Sequence, residues 1–338
     1  MRIALDAMGG DKAPGEIIAG AINALDSIGD DHIVLVGIES VIREHFSGME
    51  KSSNWEEKID IVHAPEIVAM DDSPVEALRR KRNSSIAVMA NMAAEGQVDG
   101  IISAGNTGAC VAASQMRMRL LPGVQRPGIL VVFPTFSGPV AVCDVGANIA
   151  PKVSHLHQYA LMSSIYVREV LQITSPTVGL ISIGQENAKG NELVRSVNQI
   201  LREEERIRFV GNVEPREFFH RPAHILICDG FVGNVILKLT EGLADSLFKT
   251  IGQELYQQKP EVADHFKPIV DHLYSRHDYR EYGGAPLLGV AGTCIICHGS
   301  SNARAIKNAI LTVRNQIRYD LNRKIIEQLQ SVPVENGG

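Results

Sequence analysis

The chain has 338 residues, enough to bury one large α/β core or two intertwined ones. Hydrophobic residues at 45% and charged residues at 21% describe an ordinary soluble globule, and a formal net charge of -6 offers no global field for DNA or RNA. Aromatic residues at 5% are too sparse for base-stacking platforms, so nucleic acid is not an expected partner.

Arg2 to Asp6 reads as a first strand. Its acid comes too early for a secretory signal, and no apolar run is long enough to span a bilayer, so a cytoplasmic protein is expected. Gly9-Gly10 and Pro14 suit a strained turn and a first helical turn, with a helix to about Ile28. No G-x-G-x-x-G follows this strand, so it is not the dinucleotide fingerprint. His32 to Gly37 and Ile59 to Ala64 read as the next strands. Ser73-Pro74-Val75-Glu76 predicts a helix start with a capping box. That helix ends in Arg79-Arg80-Lys81-Arg82, the densest basic patch of an acidic chain, which reads equally as a solvated helix end. Ser84 opens another helix, Ile86 to Glu95.

Val98 to Ile102 then reads as a buried strand that runs through Ser103-Ala104-Gly105-Asn106-Thr107-Gly108-Ala109 into a helix. Such a junction presents unpaired N–H groups and a positive dipole end, and glycines let an anion approach the backbone. The alternative is a tight turn with Asn106 or Thr107 as helix cap. Four later strands follow the same plan. They end before Asp144-Val145-Gly146-Ala147-Asn148, the 184–191 loop around Lys189, Asp229-Gly230-Phe231-Val232-Gly233-Asn234 and His298-Gly299-Ser300-Ser301. Gly128 to Pro134 and Val140 to Asp144 read as neighbouring strands. The fold class expected is α/β, a largely parallel sheet with helices on both faces. In such sheets ligands bind beyond the carboxyl ends of the strands, so the loops are expected to converge on one cleft.

The five cysteines, 110, 143, 228, 294 and 297, sit in apolar surroundings and read as buried reduced thiols. Cys294-Ile295-Ile296-Cys297-His298 spells the haem-attachment pattern, yet the apolar spacing reads as a buried strand. Residues 245–275 carry apolar faces at helical spacing, Leu247, Phe248, Ile251 and Leu255, then Val262, Phe266, Ile269, Val270 and Leu273. They read as a projecting helical hairpin within a single 1–338 unit. Core packing, dimer burial and contact with a membrane surface are its three readings, in that order.

The loops, with Asp6-Ala7-Met8-Gly9-Gly10-Asp11 and Tyr282-Gly283-Gly284-Ala285-Pro286-Leu287-Leu288-Gly289, resemble the PlsX family over residues 1 to about 315. These are acyl-acyl-carrier-protein:phosphate acyltransferases of bacterial phospholipid synthesis. The resemblance implies a Rossmann-like fold related to isopropylmalate-type dehydrogenases and phosphotransacetylases. It implies a homodimer that moves a fatty acyl group from acyl carrier protein to inorganic phosphate. The acyl phosphate would pass to a membrane acyltransferase that makes lysophosphatidate. The chain departs from the family pattern at the polar arm tip, Gln257 to Glu261, and at Gln185, where an acid is expected before Glu186. Contact with the inner face of the membrane is the location the resemblance adds.

Phosphate attack on a thioester needs a bound dianion, a stabilised oxyanion and exclusion of water. It needs no cofactor, no metal and no cysteine nucleophile. The catalytic candidates are Lys189 as a point cation or a solvated loop lysine, Asn106 and Asn234 as neutral donors or helix caps, and His298 as acid, base or donor or as a core histidine satisfied by backbone. The substrate- or phosphate-binding candidates are Gly105, Thr107, Gly108, Asn148, Gly299, Ser300 and Ser301, with Asp144 and Asp229 at strand ends orienting these groups or simply capping helices. Arg79, Arg80, Lys81 and Arg82 are the candidates for docking acyl carrier protein. The readings kept beside this one are a coenzyme A phosphotransacetylase and a non-catalytic acyl or anion-binding module.

Overall fold

The computed structural model describes residues 1–47, 55–258, 266, 268–269 and 282–330. The N-terminal strands alternate between two apolar faces. Ile3 and Leu5 of β1 (Arg2–Asp6) point one way and Ala4 the other; Ile33 and Leu35 of β2 (His32–Gly37) point one way and Val34 and Val36 the other. Strands buried on both faces need helices on both faces. On one side α1 (Gly15–Ile28) supplies Ile17 and Ile18 to the core. Between β2 and β3 (Ile59–His63) lies α2 (Glu39–Ser47), and α3 (Pro74–Arg80) precedes α4 (Ser85–Ala94) on the other side. Next come β4 (Gly100–Ser103) and the short α5 (Thr107–Ala113), which runs on as a π-turn over Ser114–Met118.

A hairpin of β5 (Gly128–Phe133) and β6 (Val140–Cys143) leads to α6 (Val153–Glu169). β7 (Thr177–Ile181), α7 (Glu192–Glu203), β8 (Arg208–Val213) and β9 (Ile225–Ile227) follow, and then the long α8 (Gly230–Gln258). β10 (Ala285–Leu288), β11 (Thr293–Ile296), α9 (Ala303–Arg318) and α10 (Leu321–Gln330) close the chain.

The strands form one sheet of order β3-β2-β1-β4-β11-β10-β5-β6-β9-β7-β8. β3, β2, β1, β4 and β11 are mutually parallel, as are β6, β9, β7 and β8. Between the two groups, β11–β10, β10–β5 and β5–β6 are antiparallel. Three reversals leave the second group running opposite to the first. The expected convergence of all five loops at one set of strand ends is therefore corrected. The loops after β4 and β11 share an end, whereas those after β6, β7 and β9 leave strands of the opposite direction.

Two local expectations also change. Ser73 is the N-cap of α3 but its hydroxyl makes no cap bond, and Glu76 pairs with Arg80 one turn on rather than closing a capping box. The Cys294–Cys297 stretch is indeed a buried strand, and all five cysteines are free and buried. Of the 245–275 hairpin, the first helix is the outer half of α8; most of the second lies outside the described residues, while Phe266 and Ile269, which are described, are helical and exposed. Among the described residues no helix is long and apolar enough to cross a membrane.

Candidate active site

A cavity of about 100 Å³ opens where the two halves of the sheet meet. Its floor is apolar: Ile129 and Val131 of β5, Ile296 of β11, Val145 and Leu237. Its rim is polar: Thr107, Asn234, Lys238, His298 and Ser301. Three chain segments deliver that rim. The 103–108 loop brings Thr107 and the 298–301 loop brings His298 and Ser301, both from parallel neighbours β4 and β11. The third segment is α8, which leaves the opposed strand β9 and brings Asn234 and Lys238, four residues apart and so on one helix face.

The 103–108 loop is set by a buried carboxylate. Ser103 Oγ donates to Asp6 Oδ2 at 2.8 Å and accepts from Gly105 N at 3.1 Å. Burial pushes the Asp6 carboxyl up, against hydrogen bonds from Ser85, Ser103 and the backbone of Met8 and Gly9. Asn106 then caps α5, its Oδ1 accepting from Ala109 N at 3.0 Å. Its Nδ2 donates to the carbonyls of Ala69, Met70 and Asp72 at 3.0–3.2 Å. The amide of Asn106 thus fastens the 69–72 segment to the loop. It is 6% exposed and does not line the cavity, so its place in the fold is that of a cap rather than a donor to substrate. Gly108 meets Pro74 so closely that a Cβ would lie 2.6 Å from its ring. Among the described residues, the N–H groups of Thr107 and Gly108 have no hydrogen-bond partner.

Asp144, Asn148 and Asp229 are likewise spent on structure. Asp144 is fully buried and accepts from Ile129 N, Gly146 N, Ala147 N and Asn148 N at 2.7–3.2 Å. Burial still raises its pKa, since desolvation outweighs those four bonds. Asn148 donates to Pro127 O and Tyr159 Oη, both at 2.7 Å. Asp229 Oδ1 accepts from Val232 N at 2.9 Å and caps α8. These three side chains shape the turn against which α8 rests rather than reach the cavity.

The 298–301 loop is different. His298 Nδ1 lies 2.8 Å from Ser300 Oγ, and His298 Nε2 lies 2.9 Å from Lys238 Nζ. Lys238 also donates to Glu241 Oε2 at 3.0 Å, and that oxygen is 3.9 Å from His298 Nε2. The first N–H of α9, on Ala303, is taken by Glu16 Oε2 at 2.6 Å, and that of Ala305 by Asn302 at 2.9 Å. Gly299 faces Asp11, whose backbone N–H donates to its carbonyl at 2.8 Å. The donors this loop leaves available are therefore side chains rather than the helix end. Asn234 lines the rim, and its amide has no partner among the described residues.

Of the sequence candidates, the cavity brings together Thr107, Asn234, His298 and Ser301, with Gly105, Gly108, Gly299 and Ser300 in the supporting loops. Lys189 does not line it; its exposed side chain packs on Gly184 at the end of β7. Lys238 is the rim residue that sequence reasoning missed. The signal for it was its position four residues after Asn234 in one helix. Among the described residues, no cluster of His, Cys, Asp and Glu could hold a metal ion.

The same architecture occurs in solved structures. A phosphotransacetylase from Staphylococcus aureus, EutD, superposes with a TM-score of 0.57 over 94% of both chains at 14% identity. A phosphotransacetylase from Streptococcus pyogenes gives 0.57 over 94% of both at 15% identity. At those identities the likeness is one of fold, and the class defined is an α/β protein of phosphotransacetylase-like fold with a donor-rimmed apolar cleft. In sequence, the chain is 46% identical to a phosphate acyltransferase of Desulforamulus reducens over 98% of each chain, and 45% identical to one of Halothermothrix orenii over 95% of this chain and 96% of that one. The model of the fatty acid synthesis protein family matches residues 1–324, and the chain belongs to that family, the PlsX family that its loops resemble. It is an acyltransferase.

Proposed function

We propose that this chain transfers a fatty acyl group from acyl carrier protein to inorganic phosphate, giving an acyl phosphate for glycerophospholipid synthesis. The observation that carries the reading is the composition of the cleft, an apolar floor under a rim of hydrogen-bond donors. The floor suits the start of an acyl chain and the rim suits a dianion and an oxyanion. A phosphate oxygen attacks the thioester carbonyl carbon. The C–S bond then breaks with its electron pair leaving on sulfur, and the proton shed by phosphate ends on that sulfur. The Asn234 amide donates to the oxyanion of the tetrahedral intermediate. The N–H groups of Thr107 and Gly108, with Ser301, hold phosphate. His298 orders the rim through Ser300. Lys189 is kept as a loop cation for phosphate, although its side chain stands outside the cavity.

In this reading the working form is a homodimer, and the acyl phosphate passes to a membrane acyltransferase that uses glycerol 3-phosphate. The setting is the cytoplasm, with peripheral contact at the inner face of the membrane. The relatives named phosphate acyltransferase support phosphate as acceptor. The test is release of free thiol from acyl-acyl carrier protein on addition of phosphate, with acyl phosphate trapped by hydroxylamine. Turnover confined to acyl-coenzyme A would replace the carrier, and no phosphate-dependent turnover with either would overturn the reading.

A further inference from the structure

Lys238 is the one cationic side chain on the cavity lining among the described residues. Its ammonium has three donors and no acceptor. One donor is directed at His298 Nε2, 2.9 Å away, and another at Glu241 Oε2, 3.0 Å away. On the far side of the ring, Nδ1 accepts from Ser300 N at 3.2 Å and lies 2.8 Å from Ser300 Oγ. The permanent positive charge of the rim belongs to Lys238, held beside Glu241. Half-exposed at 49%, the side chain keeps access to solvent and hence to a small anion.

We propose that Lys238 is a further residue that binds the phosphate substrate, with its third donor, at the mouth of the cleft, alongside the Thr107 and Gly108 N–H groups and Ser301. The assignment rests on the reading that phosphate is the acyl acceptor. Two negative charges meet in that step, the phosphate dianion and the oxyanion that forms beside it. The chain itself carries a net charge of -6. A point cation at the meeting place offsets the repulsion, and near a low-dielectric floor it does so more strongly than in water. Lys238 stays protonated throughout, since the proton shed by phosphate goes to sulfur. His298 and Glu241 act on Lys238 by holding its ammonium at the rim.

The test uses full-length Lys238→Met and Lys238→Gln, which keep most of the length of the side chain and remove its charge, beside Lys238→Arg. Turnover is titrated with inorganic phosphate at fixed acyl thioester, and binding of inorganic phosphate is measured directly by calorimetry. The two neutral variants should raise the KM for phosphate at least tenfold, leave the KM for the thioester within twofold, and lose the heat of phosphate binding. Lys238→Arg should recover part of the phosphate response. An unchanged phosphate titration and an unchanged heat in either neutral variant that melts like the wild type would overturn the assignment. Wild-type protein that binds phosphate through Lys238 but turns over no thioester would sink the functional reading and leave this assignment standing. Wild-type protein that neither binds nor uses phosphate would sink both.

Discussion

The carbonyl oxygen of Asp144 lies against Gly233 so closely that a Cβ at that glycine would sit 2.0 Å from it. This contact seats α8 on the turn after β6, one residue before Asn234 and five before Lys238. The helix thus reaches the cleft because its first turns carry no side chains where they meet the turn. Gly230 is equally confined, with a Cβ 2.6 Å from Asn148 O.

Gly233→Ala should therefore push α8 off its seat and carry two rim residues with it. Overpacking of this kind costs about 1–3 kcal/mol. Turnover should fall more than tenfold and the melting temperature by several degrees. Gly242→Ala is the control on the same helix, since nothing lies within 4 Å of its Cβ. It should stabilise by about 0.4–1 kcal/mol and leave turnover intact. Equal kinetics in the two variants would show that the seat is unimportant for the site.

α8 also predicts an interface. Leu239, Leu243, Leu247 and Ile251 are 68%, 52%, 53% and 44% exposed, and they recur every fourth residue on one helix. Such a stripe is a cost in a monomer and a stabilising contact when a second copy covers it. Leu243→Asp with Leu247→Asp should convert a dimer to monomers, read by light scattering after gel filtration. A dimer of unchanged mass would remove this stripe from the interface.

Much of this was legible in the chain itself. Continuous apolar runs marked β1, β2 and β5, and small-residue loops after strands marked where the rim would form. Direction was not legible. Whether β6, β7 and β9 run with β4 or against it depends on β10, a four-residue strand of Ala-Pro-Leu-Leu with no alternation to announce it. That one strand decides that Lys189 leaves a strand antiparallel to those bearing Thr107 and His298. Asn106 illustrates a second limit. A neutral donor at a helix start looks the same in sequence whether it caps or catalyses. Only the three carbonyls of the 69–72 segment, brought in from more than thirty residues away, distinguish the two. Lys238 was missed for the converse reason: a lysine in a helix is ordinarily solvated, and only its spacing from Asn234 marks the helix face that meets His298.

Acid stability should depend on Glu204. A hydrogen bond from Arg206 pulls its carboxyl down to about 2, against burial, with His157 adding to the pull. A carboxylate whose pKa is lower folded than unfolded adds stability above the unfolded value. That addition is lost as pH falls through the folded one. The stability gap between wild type and Glu204→Gln should accordingly be full above about pH 5 and shrink steadily towards pH 2. Denaturant melts at several pH values measure it. A gap that does not change over this range would mean that the pair does not set the titration.

The last prediction concerns the carrier. Acyl carrier protein is acidic, as this chain is, so docking needs a local positive patch near the cleft. The turn after α3 is close to it, because Pro74 packs on Gly108 and Asn106 binds the carbonyl of Asp72. Its four cations are not equivalent. Arg80 is paired with Glu76, and Lys81 with Asp72 at 2.5 Å. Among the described residues, no carboxylate pairs with Arg79 or Arg82, and Arg82 Nε instead donates weakly to Arg79 O at 3.4 Å. Arg79 and Arg82 thus carry the charge that a partner can use. Charge reversal at both, Arg79→Glu with Arg82→Glu, should raise the KM for acyl carrier protein several-fold at low salt, and the effect should fade as salt screens it. The KM for phosphate should not move. Reversal at Arg80 alone should do less, since its neighbour already offsets its charge. If phosphate and carrier are affected alike, the patch serves the cleft itself; if neither is affected, the carrier docks on another face.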